Sequence, residues 1–247
     1  FKLPFVTDEW EKWIYDIKDL AEKKQIEFSQ AHANFYNFCD PNAENKECLD
    51  RMVLRSIDCA SILGVKWVVI HAGTDFESPM LVKDSKEKNI EYFKPVLEHA
   101  ASKNVGIAIE NLWDLNIAPR RRYTTTAEEL VDLVDTLSKE YNNVGICWDF
   151  EHADIMKQGQ EPALKMIGSR LKATHVSDNI GIQNDHILPY SGYTNWAEIM
   201  RILKEIKYQG DFTYEIHRYI TQLPDELVVA ALKYSVEVGN YLLSLAK

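Results

Sequence analysis

The sequence is short of several things, and each shortage removes a class of protein. Apolar residues never run for the ~20 positions that a membrane-spanning helix needs, so no span is expected. No cationic stretch followed by an apolar one opens the chain, so no secretory leader is predicted. The four cysteines, Cys39, Cys48, Cys59 and Cys147, include no Cys-x-x-Cys pair, and a chain of 247 residues needs no disulfide staples. Reduced thiols in a cytoplasmic protein are therefore the expectation. Basic residues are outnumbered, 28 Lys and Arg against 38 Asp and Glu, which leaves a formal net charge of −10. Such a field does not attract polyphosphate, so nucleic acid is not an expected partner. Low-complexity segments and linkers are absent too, which predicts one domain over residues 1–247.

What is present is a steady alternation of two hydrophobic periods, with 46% apolar residues to supply a core. Trp10, Trp13, Ile14, Ile17, Leu20 and Ala21 recur at helical spacing behind the N-cap candidates Thr7 and Asp8. A strand is predicted over 26–33, then a helix from Leu49 to Leu63 stopped by Gly64, then an apolar strand over 66–71. The pattern repeats as helix 84–103, strand 105–110, helix 126–140, strand 144–149, helix 160–168 and strand 171–176. It ends with helix 196–206, strand 212–216 and helix 225–245. Alternation with apolar strands means a parallel sheet covered by helices. No glycine-rich phosphate fingerprint follows the first strand, which counts against an open doubly wound sheet. The prediction is a (β/α)8 TIM-type barrel. Six strands are counted where such a barrel has eight, so the first one or two are expected to be missing ahead of the chain.

Five strands end on or beside a group able to bind metal: His71, Glu110, Asp149, His175 and Glu215. The last four are spaced by 39 (110 to 149), 26 (149 to 175) and 40 (175 to 215) residues, each about one βα unit. In parallel barrels the C-terminal strand ends converge on one mouth, so residues distant in sequence meet there. Two Glu, one Asp and one His suit a hard or borderline divalent ion: Mn²⁺, Zn²⁺, Co²⁺ or Mg²⁺. Trp113, in the loop after Glu110, and Arg218, shortly after Glu215, are candidate substrate contacts from position alone. Trp148 is equally compatible with core and site. The run Arg120-Arg121-Arg122 reads as a solvated cluster or as an anchor for a substrate anion.

Six short stretches occur in order: His71-Ala72-Gly73, Ile109-Glu110-Asn111, Trp148-Asp149-Phe150-Glu151-His152, His175-Val176-Ser177-Asp178-Asn179, Asn184-Asp185-His186-Ile187-Leu188-Pro189 and Tyr214-Glu215-Ile216-His217. In this ordered set the chain resembles the xylose-isomerase-like barrel superfamily. The resemblance implies that Glu110, Asp149, His175 and Glu215 are metal ligands, with Glu110 and Glu215 also the acid/base pair. It makes His71, His152 and His186 further candidates for substrate contact, and His32 an extra-metal or pocket residue. It implies a metal-dependent sugar isomerase or epimerase working through an enediolate, on a small sugar, sugar phosphate or polyol; a homo-oligomer is compatible with it. An inosose-dehydratase-like lyase is a close alternative. An endonuclease-IV-like phosphodiesterase acting on abasic DNA is a more distant one, in which His32 and His71 would carry extra zinc. That branch wants Asp-x-His, and Asn184 stands where its Asp would be.

Overall fold

The computed structural model describes residues 3–115, 120–181 and 186–246. Among these residues there are six strands: β1 (Gln30–His32), β2 (Trp67–His71), β3 (Gly106–Glu110), β4 (Val144–Asp149), β5 (Leu171–Val176) and β6 (Thr213–Tyr214). Nine α-helices accompany them among the described residues: α1 (Trp10–Lys24), α2 (Lys46–Leu63), α3 (Leu81–Ser102), α4 (Ala127–Leu137), α5 (Phe150–Ile155), α6 (Gln160–Ile167), α7 (Trp196–Glu205), α8 (His217–Thr221) and α9 (Asp225–Leu245). Every helix expected from the apolar period is present. Strands β1 and β6 are shorter than expected, and α5 and α8 are additional. No described helix is long and apolar enough to cross a membrane.

The chain divides into two compact units, Phe1–Ile109 with Leu133–Gly145, and Glu110–Asp132 with Ile146–Lys247. In the first, β1 and β2 pair in parallel, with Gln30 opposite Trp67 and His32 opposite Val69. Strand β3 joins them through the Gly106 N–H, which donates to the Lys66 carbonyl at 2.8 Å. Val68, Val69 and Ile107 are fully buried, as are Ile57 of α2 and Phe93 and Leu97 of α3. This is the both-faces-covered pattern that continuous apolar strands predict. Helix α2 ends where Gly64 takes φ 77°, a left-handed value that glycine adopts without strain. The loop beyond His71 is held by Asn89, whose side chain accepts from the Gly73 N–H (2.9 Å) and donates to the Gly73 and Ser85 carbonyls (2.7 Å each).

In the second unit β4, β5 and β6 are parallel neighbours in chain order. A register irregularity lies between Ile146 and Cys147, and it brings Trp148 opposite Thr174 and Asp149 opposite His175. Side chains alternate along a strand, so Cys147 and Asp149 share a face and Trp148 lies on the other. Trp148 is fully buried and donates its indole N–H to Gln160 of α6 at 3.0 Å, which makes it core. Phe150, Leu164, Ile167, Trp196 and Ile199 complete that core. Asn195 caps α7 by accepting the Glu198 N–H at 3.3 Å.

Strand β3 delivers Glu110, and its start is tightly fitted. A Cβ added at Gly106 would come within 2.4 Å of the Trp67 ring. Gly106→Ala is therefore expected to lower unfolding stability by about 1–3 kcal/mol through overpacking. Urea unfolding checks this, and an unchanged midpoint would show that the Trp67 ring yields freely.

Candidate metal centre

Three local devices bring four side chains of the second unit together. The register of β4 and β5 sets Asp149 beside His175. The Glu215 N–H donates to the Val176 carbonyl at 3.1 Å, which continues the pairing of β6 with β5 by one residue. Asn111, directly after Glu110, clasps the end of β4. Its Oδ1 accepts the Asp149 N–H at 2.7 Å and its Nδ2 donates to the Asp149 carbonyl at 2.9 Å. As a result Glu110, Asp149, His175 and Glu215 each offer one ligand atom, and these atoms lie within 4.8 Å of one another. His175 Nδ1 is 3.1 Å from Glu110 Oε1, 2.9 Å from Glu215 Oε2 and 3.9 Å from Asp149 Oδ2.

The electrostatics of this group are lopsided. Three carboxylates face one imidazole, and one N–H at Nδ1 cannot serve all three. Asp149 is fully buried; burial pushes its carboxyl well above the usual carboxylate range, and the neighbouring Glu110 adds to the effect. Its Oδ1 caps α5 by accepting the His152 N–H at 2.8 Å. Its Oδ2 is buried and makes no hydrogen bond among the described residues. Burial works against a charged His175, yet the Glu110 carboxyl beside it holds the ring well above the usual histidine range. For Glu215, burial is again opposed, here by His175, and the carboxyl sits below its ordinary value. Burial pushes the Cys147 thiol up to about 12, so it is protonated at neutral pH and offers no thiolate ligand. Ligand atoms about 2.1 Å from an ion and at right angles are about 3 Å apart, close to the separations seen here. A divalent cation would supply the charge this group lacks, so the residues present fit one.

A second group lies beside the first. His152 is buried, and its Nδ1–H donates to the Asn111 carbonyl at 2.8 Å, which leaves Nε2 for another partner. Glu151 is fully buried. Its Oε2 accepts the His186 N–H at 2.5 Å, and its Oε1 lies 3.2 Å from His186 Nδ1. His186 Nε2 is 3.9 Å from Glu215 Oε1, and the His217 ring is 4.4 Å from the His186 ring. Glu151 and Asn111 were not singled out from sequence; their positions inside the quoted motifs were the signal.

Of the remaining expectations, His32 and His71 meet in the first unit, Nε2 to Nε2 at 3.2 Å. Trp113 is half-buried three residues past Glu110, and Arg218 is exposed on α8. Arg121 forms a bidentate pair with Glu129 of α4 at 3.0 and 3.2 Å, so this part of the arginine run serves the protein's own structure. Asn184 and Asp185 lie outside the described residues.

The family profile described as xylose isomerase-like TIM barrel matches residues 3–236. The chain belongs to this family. Its TIM-type barrel is the fold that the strand–helix alternation predicted, and six strands fit part of such a barrel. Among the family's likenesses, the uncharacterized protein y4fM of Sinorhizobium fredii is 28% identical over 211 residues, 83% of this chain and 64% of the relative. The chain thus spans under two thirds of that protein. The D-psicose 3-epimerase of Enterocloster bolteae is 35% identical over 85 residues, 34% of this chain and 26% of that enzyme. A crystal structure of a D-tagatose 3-epimerase-like protein superposes with a TM-score of 0.79 at 22% identity, covering 98% of this chain and 85% of the other.

Burial pushes the Glu151 carboxyl up to about 8, with Asp149 nearby adding to it, against 4.5 when free. The unfolded chain ionises Glu151 from about pH 4.5 upward, whereas the folded chain resists until about pH 8. The metal-free protein therefore loses stability between these values. Glu151→Gln is expected to raise the stability of chelator-treated protein at pH 8 by up to a few kcal/mol, and much less at pH 5. Thermal melts at the two pH values check the difference, and equal effects would exclude a buried titration.

Proposed function

We propose that this chain is a divalent-metal-dependent isomerase or epimerase acting on a small sugar, sugar phosphate or polyol. The observation that carries the proposal is the four-residue group of Glu110, Asp149, His175 and Glu215, which includes the buried Asp149 Oδ2 that makes no hydrogen bond among the described residues. Family membership and the likeness to sugar 3-epimerases support it. The four residues would hold one Mn²⁺, Zn²⁺, Co²⁺ or Mg²⁺. Bound there, the ion would supply Lewis-acid polarisation of a substrate carbonyl.

The chain's own groups account for the proton traffic. A proton on carbon next to a carbonyl is weakly acidic, so a positioned base must take it. Glu215 is held ionised by His175 and is only partly buried, which suits it to accept that proton. The electron pair left by the C–H bond moves into the adjacent C–C bond, and the carbonyl becomes an enediolate. Glu110, entering the cycle protonated, is the partner that would deliver a proton in exchange, so the two carboxyls end with their protonation states swapped. Return to the other face of the same carbon gives an epimer, and return to the neighbouring carbon gives an isomer. His152 Nε2 and His186 would hold substrate hydroxyls, with Trp113 and Arg218 as further contacts. Loss of a neighbouring hydroxyl from the same enediolate would instead give an inosose-dehydratase-like lyase.

A second proposal, a multi-metal phosphodiesterase acting on abasic DNA, draws on the His32–His71 contact and the Glu151–His152–His186 group. The net charge of −10 counts against it. Elemental analysis of protein purified without added metal decides between the two. About one ion per chain, lost in Asp149→Asn, supports the isomerase. Two or three zinc ions per chain, with His32 and His71 required, would favour the nuclease.

Glu110→Gln and Glu215→Gln are each expected to cut turnover on a ketose panel by about 10²–10⁴. No metal uptake from Mn²⁺, Co²⁺ or Zn²⁺ solutions would sink the mechanism.

A further inference from the structure

We propose that the second unit carries an additional binding site, for a neutral hexopyranoside unit, on the side of α5 away from His152. Two residues along a helix is a turn of about 200°, so Asp154 leaves α5 on the side opposite His152. There a cavity of about 680 Å³ opens between the α5–α6 connection and the segment that follows β5, with Tyr193 and Asn195 also lining it. Its size falls in the range of small-molecule sites, about 300–1,000 Å³.

The polar groups on its wall are of two kinds. Some are already engaged and make the wall rigid. The Asp154 carboxylate accepts from Gln160 Nε2 at 2.8 Å and from the Thr194 hydroxyl at 2.7 Å, and Asn195 donates to Glu198 at 3.0 Å. Others are idle. Asn179 is 6% exposed; its Oδ1 accepts the Gly181 N–H at 3.1 Å, but its Nδ2 makes no hydrogen bond among the described residues. Nδ2 is not one of the fully buried donors left without a partner, so its two N–H groups reach solvent and are available to a ligand. The Gln158 amide and the Tyr193 hydroxyl likewise make no hydrogen bond among the described residues.

The idle groups are all neutral, and they define the ligand. The wall carries two carboxylates, Asp154 and Glu198, against one cation, Lys157, so a phosphate or carboxylate ligand would be repelled. What remains is amide and phenol hydrogen bonding beside apolar surface: Tyr193 is 80% exposed and Ile180 43%. A hexopyranoside presents hydroxyls around its edge and C–H groups on its faces, which matches amides on one side and an aromatic ring on the other. The site is independent of the metal chemistry proposed above.

Saturation-transfer NMR on the full chain tests it with four probes: methyl α- and β-D-glucopyranoside, methyl β-D-galactopyranoside and methyl α-D-mannopyranoside. Their locked anomeric carbons offer no open-chain carbonyl to the carboxylate group. At least one is expected to bind in the millimolar range, to bind equally to Glu110→Gln, and to bind about tenfold or more weakly to Asn179→Ala and Tyr193→Ala. Tyr193 is so exposed that its removal cannot unfold the unit, which keeps the test sound if Asn179→Ala misfolds. Binding of no probe, binding that survives Tyr193→Ala undiminished, or binding lost in Glu110→Gln would each overturn the proposal.

Discussion

Three carboxylates and one imidazole gathered in a largely buried group form the constraint on which the second unit depends. Like charges at such distances repel strongly in a medium less polar than water. Hydrophobic packing alone would not choose this arrangement; it is imposed by the strand register and by the Asn111 clasp on Asp149. Asn111 is neutral, which matters. It fixes the strand end by hydrogen bonds without adding to the charge, and its carbonyl also takes the His152 N–H. One amide side chain and its own backbone thus orient a proposed metal ligand, Asp149, and a residue proposed to hold substrate, His152.

The strand ends were legible in the sequence because two simple signals coincide there. An apolar run fixes a buried strand, and a single polar residue closing it has to face the mouth. Other features were hidden for physical reasons. Helix α5 spans six residues directly after β4, too few for an apolar period to declare itself, and α8 is shorter still. Nothing in the sequence around Glu151 signals burial, yet α5 tucks it fully inside against His186. Trp148 was ambiguous only until parity is counted back from Asp149: one residue away on a strand is the opposite face. The pairing of Arg121 with Glu129 was beyond sequence reasoning, because it depends on how the loop after β3 returns to the start of α4.

The two units also divide the candidate chemistry. The four proposed ligands and the Glu151–His152–His186 group all come from the second unit, while the first contributes the His32–His71 contact. The core of each is ordinary, aliphatic and aromatic, and the buried carboxyls Glu110, Asp149 and Glu151 lie in the second. Such a separation lets packing supply stability while a small region keeps an arrangement that packing alone would disfavour.

The two oxygens of Asp149 have separate employments, and this bears on ion uptake. Oδ1 is committed to the first turn of α5, whereas Oδ2 is uncommitted. A cation seated at Oδ2 would not have to break the cap, and α5 would not have to unwind to admit or release it. What it would have to displace is the N–H of His175, whose Nδ1 lies 3.1 Å from Glu110 and 2.9 Å from Glu215, so uptake would release a proton and strengthen as pH rises.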